Sequence, residues 1–555
     1  MRVAGRASEQ TIQTRIVPAI LTGIRKGGST DYVRSAMLAL AKIGGERNFE
    51  RFNFAFNWHL SGDHGHPLTN CAAPVAMGVL ADRRNYQALA ALARDDERGR
   101  EIYGREVNDA MRAFATYGLG LIGSRSDDME LRRKIVRDLV HCLEDDGTAA
   151  ADLRVAAMTA MGLVPLEVVE EDVVCYCGEC KVPNPDASLG SQVTYLLRYL
   201  TADREFDPVV RSHTATTLGR LVEARPPGMS ERLKEVVADC LAGSLAKHAR
   251  QPAEVKQSAV LALGLVGDAD DDDVDRWIRS ELNRSAGHGG PVERRFALMS
   301  LAMVGSRAGQ GVDRLAGAAE ARQYLMRHLA RGRNTVRPWA GLALGVMGFR
   351  LDENGGVLEP SVDASLRSAI RHSKTADSLG AYALAAGLRG DDEATELLIR
   401  KLERAKDEAA RSYAALALGL LRARGAIVPL QAALRSADEK PLLASRAGVA
   451  LGFLGDTTVV ETLLETLKDS ENEETRCAAI QALGFIGDER SIDELAELVV
   501  EKGNGKVRLN AVVALGFAAD RAPMSWRARI ANGVNYLARS DMLTSSDRSG
   551  ILDLE

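Results

Sequence analysis

The sequence predicts an all-α fold, an α-solenoid built as a superhelix of about 12–13 helical hairpins. Three observations predict it. The phrase Leu-Gly-x-x-Gly recurs, most plainly at Leu263–Gly267, Leu344–Gly348, Leu451–Gly455 and Leu483–Gly487. Residues before each copy place small and apolar side chains at a helical period rather than an alternating one, as in 474–484. The composition, 46% hydrophobic but only 5% aromatic, suits helices stacked at close range.

The first glycine of the phrase, or the small residue replacing it, serves as an anchor for laying the repeats along the chain. The anchors are Ala41, Gly78, Gly120, Gly162, Gly219, Gly264, Ala302, Gly345, Gly387, Gly419, Gly452, Gly484 and Gly516. The last four spacings are 32, 33, 32 and 32 residues, whereas the earlier ones run from 37 to 57. A helical cap is therefore expected over residues 1–30 and longer, irregular repeats over 31–390, including a Cys-rich insertion at 167–190. Regular short repeats then span 391–520, and a capping helix with a solvated tail spans 521–555.

Each copy of the phrase reads as the end of a helix. The glycine that follows stops it, and an Asp often comes next (Asp268, Asp456, Asp488) as the N-cap of the following helix. That following helix is short and amphipathic, as in 491–499, so one unit is helix, turn, helix.

A basic residue stands eight positions before the anchor in nine copies: Arg112, Arg154, Arg211, Lys256, Arg294, Arg337, Arg411, Arg476 and Arg508. Eight residues are a little over two helical turns, which puts each cation near the start of its helix, where the helix dipole disfavours it. A structural ladder of hydrogen bonds to neighbouring repeats is the expected compensation, with Asp203, Asp407 and Asp469 as acceptors.

Basic-x-x-Ala-x-x-x-Leu-Gly-x-x-Gly strings, such as those around Arg411–Leu421 and Arg476–Gly487, resemble the HEAT-repeat superfamily. The last four units are similar to its short repeats of the phycobilisome-lyase-like type. The resemblance covers residues from about 30 to about 520 and implies a fold more than an activity, because the matching residues are packing residues. Deoxyhypusine hydroxylases within that superfamily carry His-Glu pairs for a di-iron site, and none of the nine histidines here is followed by Glu. A lyase-like role rests on analogy alone.

Other classes are limited by composition. Net charge is −5 and the pI about 6.1, which provide no global basic field for nucleic acid. No run of eighteen apolar residues occurs, so no membrane span is expected. The chain as it stands is expected in the cytoplasm, or exported if a signal lies upstream of Met1. Neither a Gly-x-Ser-x-Gly elbow nor a Gly-x-x-x-x-Gly-Lys-Ser/Thr loop is found.

The widest interval, Gly162 to Gly219, contains Cys175, Cys177 and Cys180 in a Gly- and Pro-bearing stretch. Three thiols at that spacing suit a structural zinc with a fourth ligand from elsewhere, the candidates being His213, His141, Cys142, or a water or substrate at an open position. A Cys177–Cys180 redox pair or staple, and unligated cysteines, are the competing readings. Cys142, Cys240 and Cys477 read as small core residues. A second irregular stretch, Trp58–Pro67, carries His64 and His66 beside Asp63, a candidate metal pair set against a plain polar loop. The acidic run 268–275 lacks the glycine turn and closing glutamate of a calcium loop, and reads instead as the first turn of a helix through Trp277 and Ile278. The basic stretch Arg322, Arg327, His328, Arg331, Arg333 and Arg337 lacks the interleaved aromatics of a nucleic-acid surface.

No catalytic constellation emerges. The expected function is a non-catalytic scaffold that binds a protein or peptide along the inner face of the solenoid, the face made by the helices carrying the anchors; the alternative is a metal-binding or thiol-redox protein using Cys175, Cys177 and Cys180.

Overall fold

Of the 555 residues, the structure, a computed structural model, describes 7–45, 48–61, 67–144, 151–169, 184–201, 206–223, 225–246, 249–310, 312–357, 359–436, 440–455, 457–501 and 503–519. Among these residues there is no strand, and the helices pack in series as an α-solenoid.

One regular repeat shows how the sequence specifies the unit. Asn472 caps the helix Glu473–Ile486 by accepting the Thr475 N–H at 3.0 Å. Gly487, at φ +66°, ends it in the left-handed region that glycine enters without a Cβ penalty, its N–H bonded to the Leu483 carbonyl. Asp488 then accepts the Arg490 N–H at 3.0 Å and caps a single 3-10 turn that leads into the short helix Ile492–Val500. That helix buries Ile492, Leu495, Leu498 and Val499 on one face.

The longer repeats depart from this scheme. The helix Arg337–Glu353 runs past Gly348, and Gly267 has an extended φ of −74°. In those repeats the second glycine of the phrase is not always a helix stop. At Gly348 the absent side chain leaves room for Arg389, whose guanidinium is held by Asp363 at 3.0 Å.

The anchor glycines explain the stacking. A Cβ added at Gly484 would lie 2.5 Å from Ala514 Cα, and one at Gly419 would lie 2.6 Å from Ala450 Cα. The same relation links Gly120 to Ala160, Gly219 to Ala262 and Gly387 to Ala417. In each pair the anchor meets the residue two positions before the next anchor, so motif-bearing helices touch backbone to backbone. The first helices of successive repeats touch one another only sparsely. The motif-bearing row is thus the tightly packed one.

Two compact units result, one from described residues in 7–43, 305–308 and 318–519, the other from those in 44–304 and 309–317. Residues 7–43 therefore share a core with repeats far along the chain.

Candidate interaction surface

In the 318–519 unit the motif-bearing helices turn two columns of side chains outward. Three positions before the anchor stand Leu342, Leu384, Leu416, Val449, Gln481 and Val513, all half-buried. One position after it stand Leu420, Phe453, Phe485 and Phe517, also half-buried. The phenylalanines form a continuous row: Phe453 meets Phe485 edge-on at 5.4 Å between centroids, and Phe485 stacks on Phe517 at 4.8 Å. Gln481 interrupts the aliphatic column and donates to Asn510 Oδ1 at 2.8 Å. In the 44–304 unit the corresponding Val75, Tyr117, Thr159, Thr216 and Leu261 are buried. Met299, three positions before Ala302, and Leu163, one after Gly162, are half-buried but isolated, so the continuous outward apolar columns belong to the 318–519 unit.

The nine basic residues all lie near the starts of motif-bearing helices, and five of them show where their guanidinium groups go. Arg112 Nε donates to the Ala93 carbonyl at 3.0 Å, Arg337 to Leu329 at 2.9 Å, Arg411 to Leu402 at 2.6 Å and Arg508 to Val499 at 3.3 Å. Arg211 reaches Leu200 through Nη2 at 3.1 Å. Each of these acceptors sits in the last turn of the first helix of the same hairpin. The cation therefore meets the negative end of one helix dipole while leaving the positive end of its own. Asp407, expected as an acceptor, instead caps its helix by accepting the Ala410 N–H at 2.9 Å, and Asp203 lies outside the described residues. Arg154, Lys256, Arg294 and Arg476 hold the equivalent places in the helices Ala151–Met161, Ala253–Val266, Pro291–Ser306 and Glu473–Ile486.

The candidate metal ligands Cys175, Cys177, Cys180, His64 and His66 lie outside the described residues. His213 is buried on the helix Pro208–Glu223, with Nδ1 3.4 Å from Thr159 Oγ1. Cys142 is buried with its sulfur 3.7 Å from both Thr116 Oγ1 and the Ala93 carbonyl, a core setting. Burial pushes the thiols of Cys240 up to about 12 and Cys477 up to about 11, so neither is a thiolate at neutral pH.

The acidic run hides a feature that its own residues do not announce. Asp272 caps the helix Asp273–His288, as the dipole reading requires, but Asp268 and Asp275 turn inward and are wholly buried. Between them sits the buried Lys234 ammonium, 2.5 Å from Asp275 Oδ2 and 3.2 Å from Asp268 Oδ2. Arg225 pairs with Asp268, and Arg279 donates to the carbonyls of Asp268 and Asp270 at 3.2 and 2.8 Å. Burial works against the Asp268 carboxylate, yet Lys234, the Asp270 N–H and Arg225 outweigh it and hold its pKa at about 2. Burial, and next the Asp268 charge, push Asp275 up to about 9. Oxygens of Asp268, Asp270 and Asp275 lie within 4.8 Å of one another, as hard-cation ligands would. The Lys234 ammonium already bonds two members of that group, Asp268 and Asp275, so the arrangement is an internal ion network.

No helix among the described residues is long and apolar enough to cross a membrane. Residues 430–516 match the family model for HEAT repeats. No curated protein matches the sequence. Among solved structures, human deoxyhypusine hydroxylase in complex with glycerol is similar at 18% identity over 53% of this chain and 96% of that one, with a TM-score of 0.23. The Escherichia coli protein YibA is similar at 15% identity over 54% of this chain and 95% of that one, with a TM-score of 0.32. An engineered protein is similar at 17% identity over 72% and 98%, with a TM-score of 0.27.

Proposed function

We propose that the chain, an α-solenoid whose residues 430–516 match the HEAT-repeat model, is a non-catalytic scaffold that binds a protein or peptide along the outward face of its motif-bearing helices. The observation that carries this reading is the pair of apolar columns, Leu416, Val449 and Val513 beside Leu420, Phe453, Phe485 and Phe517. Helices packed at about 8–10 Å spread these columns over several tens of ångströms. A strip of that length and chemistry fits an extended or helical segment with apolar side chains at regular intervals, rather than a compact metabolite. Polar groups beside it, among them the Gln481–Asn510 pair, supply specificity without catalytic chemistry.

Replacing Phe485 and Val513 by Asp in the full chain tests the proposal by pull-down and crosslinking of bound protein. Loss of the partners captured by the parent chain is expected, by about tenfold or more for removal of a central anchor. Val428, 73% exposed on a first helix, provides the control, and its change to Asp leaves capture intact. Unchanged capture by the Phe485/Val513 variant would remove this face from the function.

The spacing of Cys175, Cys177 and Cys180 supports a second reading, a structural zinc in the insertion. Elemental analysis decides it: one zinc per chain, lost in Cys177→Ser, is the expected result, and a metal-free parent chain rules it out.

A further inference from the structure

We infer that residues 7–43 are the terminal repeat of the 318–519 array, docked in the register of the repeats before them, so that segments more than 450 positions apart form one cooperative unit. The register is carried by the anchors. A Cβ at Gly516 would lie 2.9 Å from Ala39 Cβ and 3.3 Å from Ala39 Cα, and Ala39 is two positions before the anchor Ala41. That is the relation of Gly484 to Ala514 and of Gly419 to Ala450. Leu38, three positions before Ala41, is half-buried like Val513 and extends the aliphatic column by one further helix. The first helix follows suit, since Val17–Lys26 packs on Ile492–Val500.

Polar contacts tie the two segments at specific atoms. Arg508, the basic residue of the last repeat, donates to Val499 of its own hairpin and also reaches the Gly27 carbonyl at 3.0 Å, its guanidinium 4.3 Å from the Tyr32 ring centroid. Tyr32 Oη donates to the same Val499 carbonyl at 3.0 Å, and Lys26 Nζ donates to Val500 at 2.9 Å. Further along, Arg15 pairs with Asp493 at 3.1 Å, while the Ser8 N–H and Thr11 Oγ1 donate to Glu489 Oε1 at 3.1 and 3.0 Å. Ala511, Val512, Leu515 and Ala518, the flank that a solenoid leaves bare at its last repeat, are buried. The hairpin 7–43 thus does the work of a carboxy-terminal cap.

Hydrogen exchange on the full chain tests the inference, because a shared cooperative unit opens as one. Tyr32→Ala is expected to speed amide exchange about tenfold or more in both 8–43 and 492–519 while leaving 376–420 unchanged; each factor of ten corresponds to about 1.4 kcal/mol. Tyr32→Phe, which removes only the hydroxyl, should do the same by about two- to tenfold. Arg508→Gln supplies the reciprocal arm, with faster exchange expected in 17–43. Changes confined to the mutated segment in every variant, or no change in any, would overturn the inference.

Discussion

Lys234→Met is expected to lower the stability of the 44–304 unit by about 3–5 kcal/mol, the cost of removing one partner from a buried ion network. The side chain is 2% exposed and lies against Asp268 and Asp275, so the substitution leaves the buried Asp268 carboxylate without the ammonium it shares with the Asp275 carboxyl. The effect carries a pH signature. Asp268 has a depressed folded pKa, so it contributes stability above the ordinary carboxylate range and loses it as pH falls toward about 2. Asp275 is raised to about 9, so the folded chain keeps a proton that the unfolded chain releases, and stability falls as pH climbs from the ordinary range toward that value. Without Lys234 both groups favour the protonated form more strongly, and acid relieves the variant. The deficit should therefore be larger at pH 8 than at pH 5, read by urea unfolding through Trp277, which lies on the helix that Asp272 caps. A deficit below about 1 kcal/mol at pH 8 would mean that the ammonium is dispensable.

This network marks the boundary of what the sequence makes legible. The run Asp268–Asp275 reads as a solvated first turn because the lysine that buries two of its members is more than thirty residues upstream, on a different helix. Charge patterns report local preference, whereas burial here is a tertiary event. The hairpin and its stacking, by contrast, were legible at the anchors, since a glycine is required wherever the next helix's backbone sits at touching distance, and that requirement recurs with the repeat. The basic residue eight positions earlier was legible as a recurrence, but its carbonyl acceptors were not. An aspartate is visible in a sequence as an acceptor; the frayed end of a helix is not. The outward columns fall between these cases. Their apolar character was plain, and only the packing showed that Val449 and Phe485 stay half-buried while Val75 and Tyr117 do not. The join between Gly516 and Ala39 lay beyond any local pattern, although the same small-residue code specifies it.

Gly484→Ala separates that code from ordinary helix preference, because the two predict opposite signs. In a helix interior Ala is favoured over Gly by about 0.5–1 kcal/mol. Gly243, exposed on the helix Glu231–Leu245 with no atom within 4 Å of an added Cβ, should follow that preference, and Gly243→Ala is expected to stabilise its repeat by that amount. At Gly484 the added carbon would meet Ala514 Cα at 2.5 Å and Cβ at 2.6 Å. Backbone cannot rotate away as a side chain can, so the two helices must separate, and overpacking of this kind costs about 1–3 kcal/mol. The clash outweighs the preference, and a net loss of about 1–2 kcal/mol is expected, seen as faster amide exchange through 473–519. Combining it with Ala514→Gly relieves the clash with the neighbouring methyl group but leaves the clash with the backbone carbon that bears it, so less than half of the loss should return. Full recovery would place the constraint in the side chain rather than the backbone. A stabilised Gly484→Ala would show that the helices can part at no cost, in which case the anchor glycine does not set the spacing between repeats.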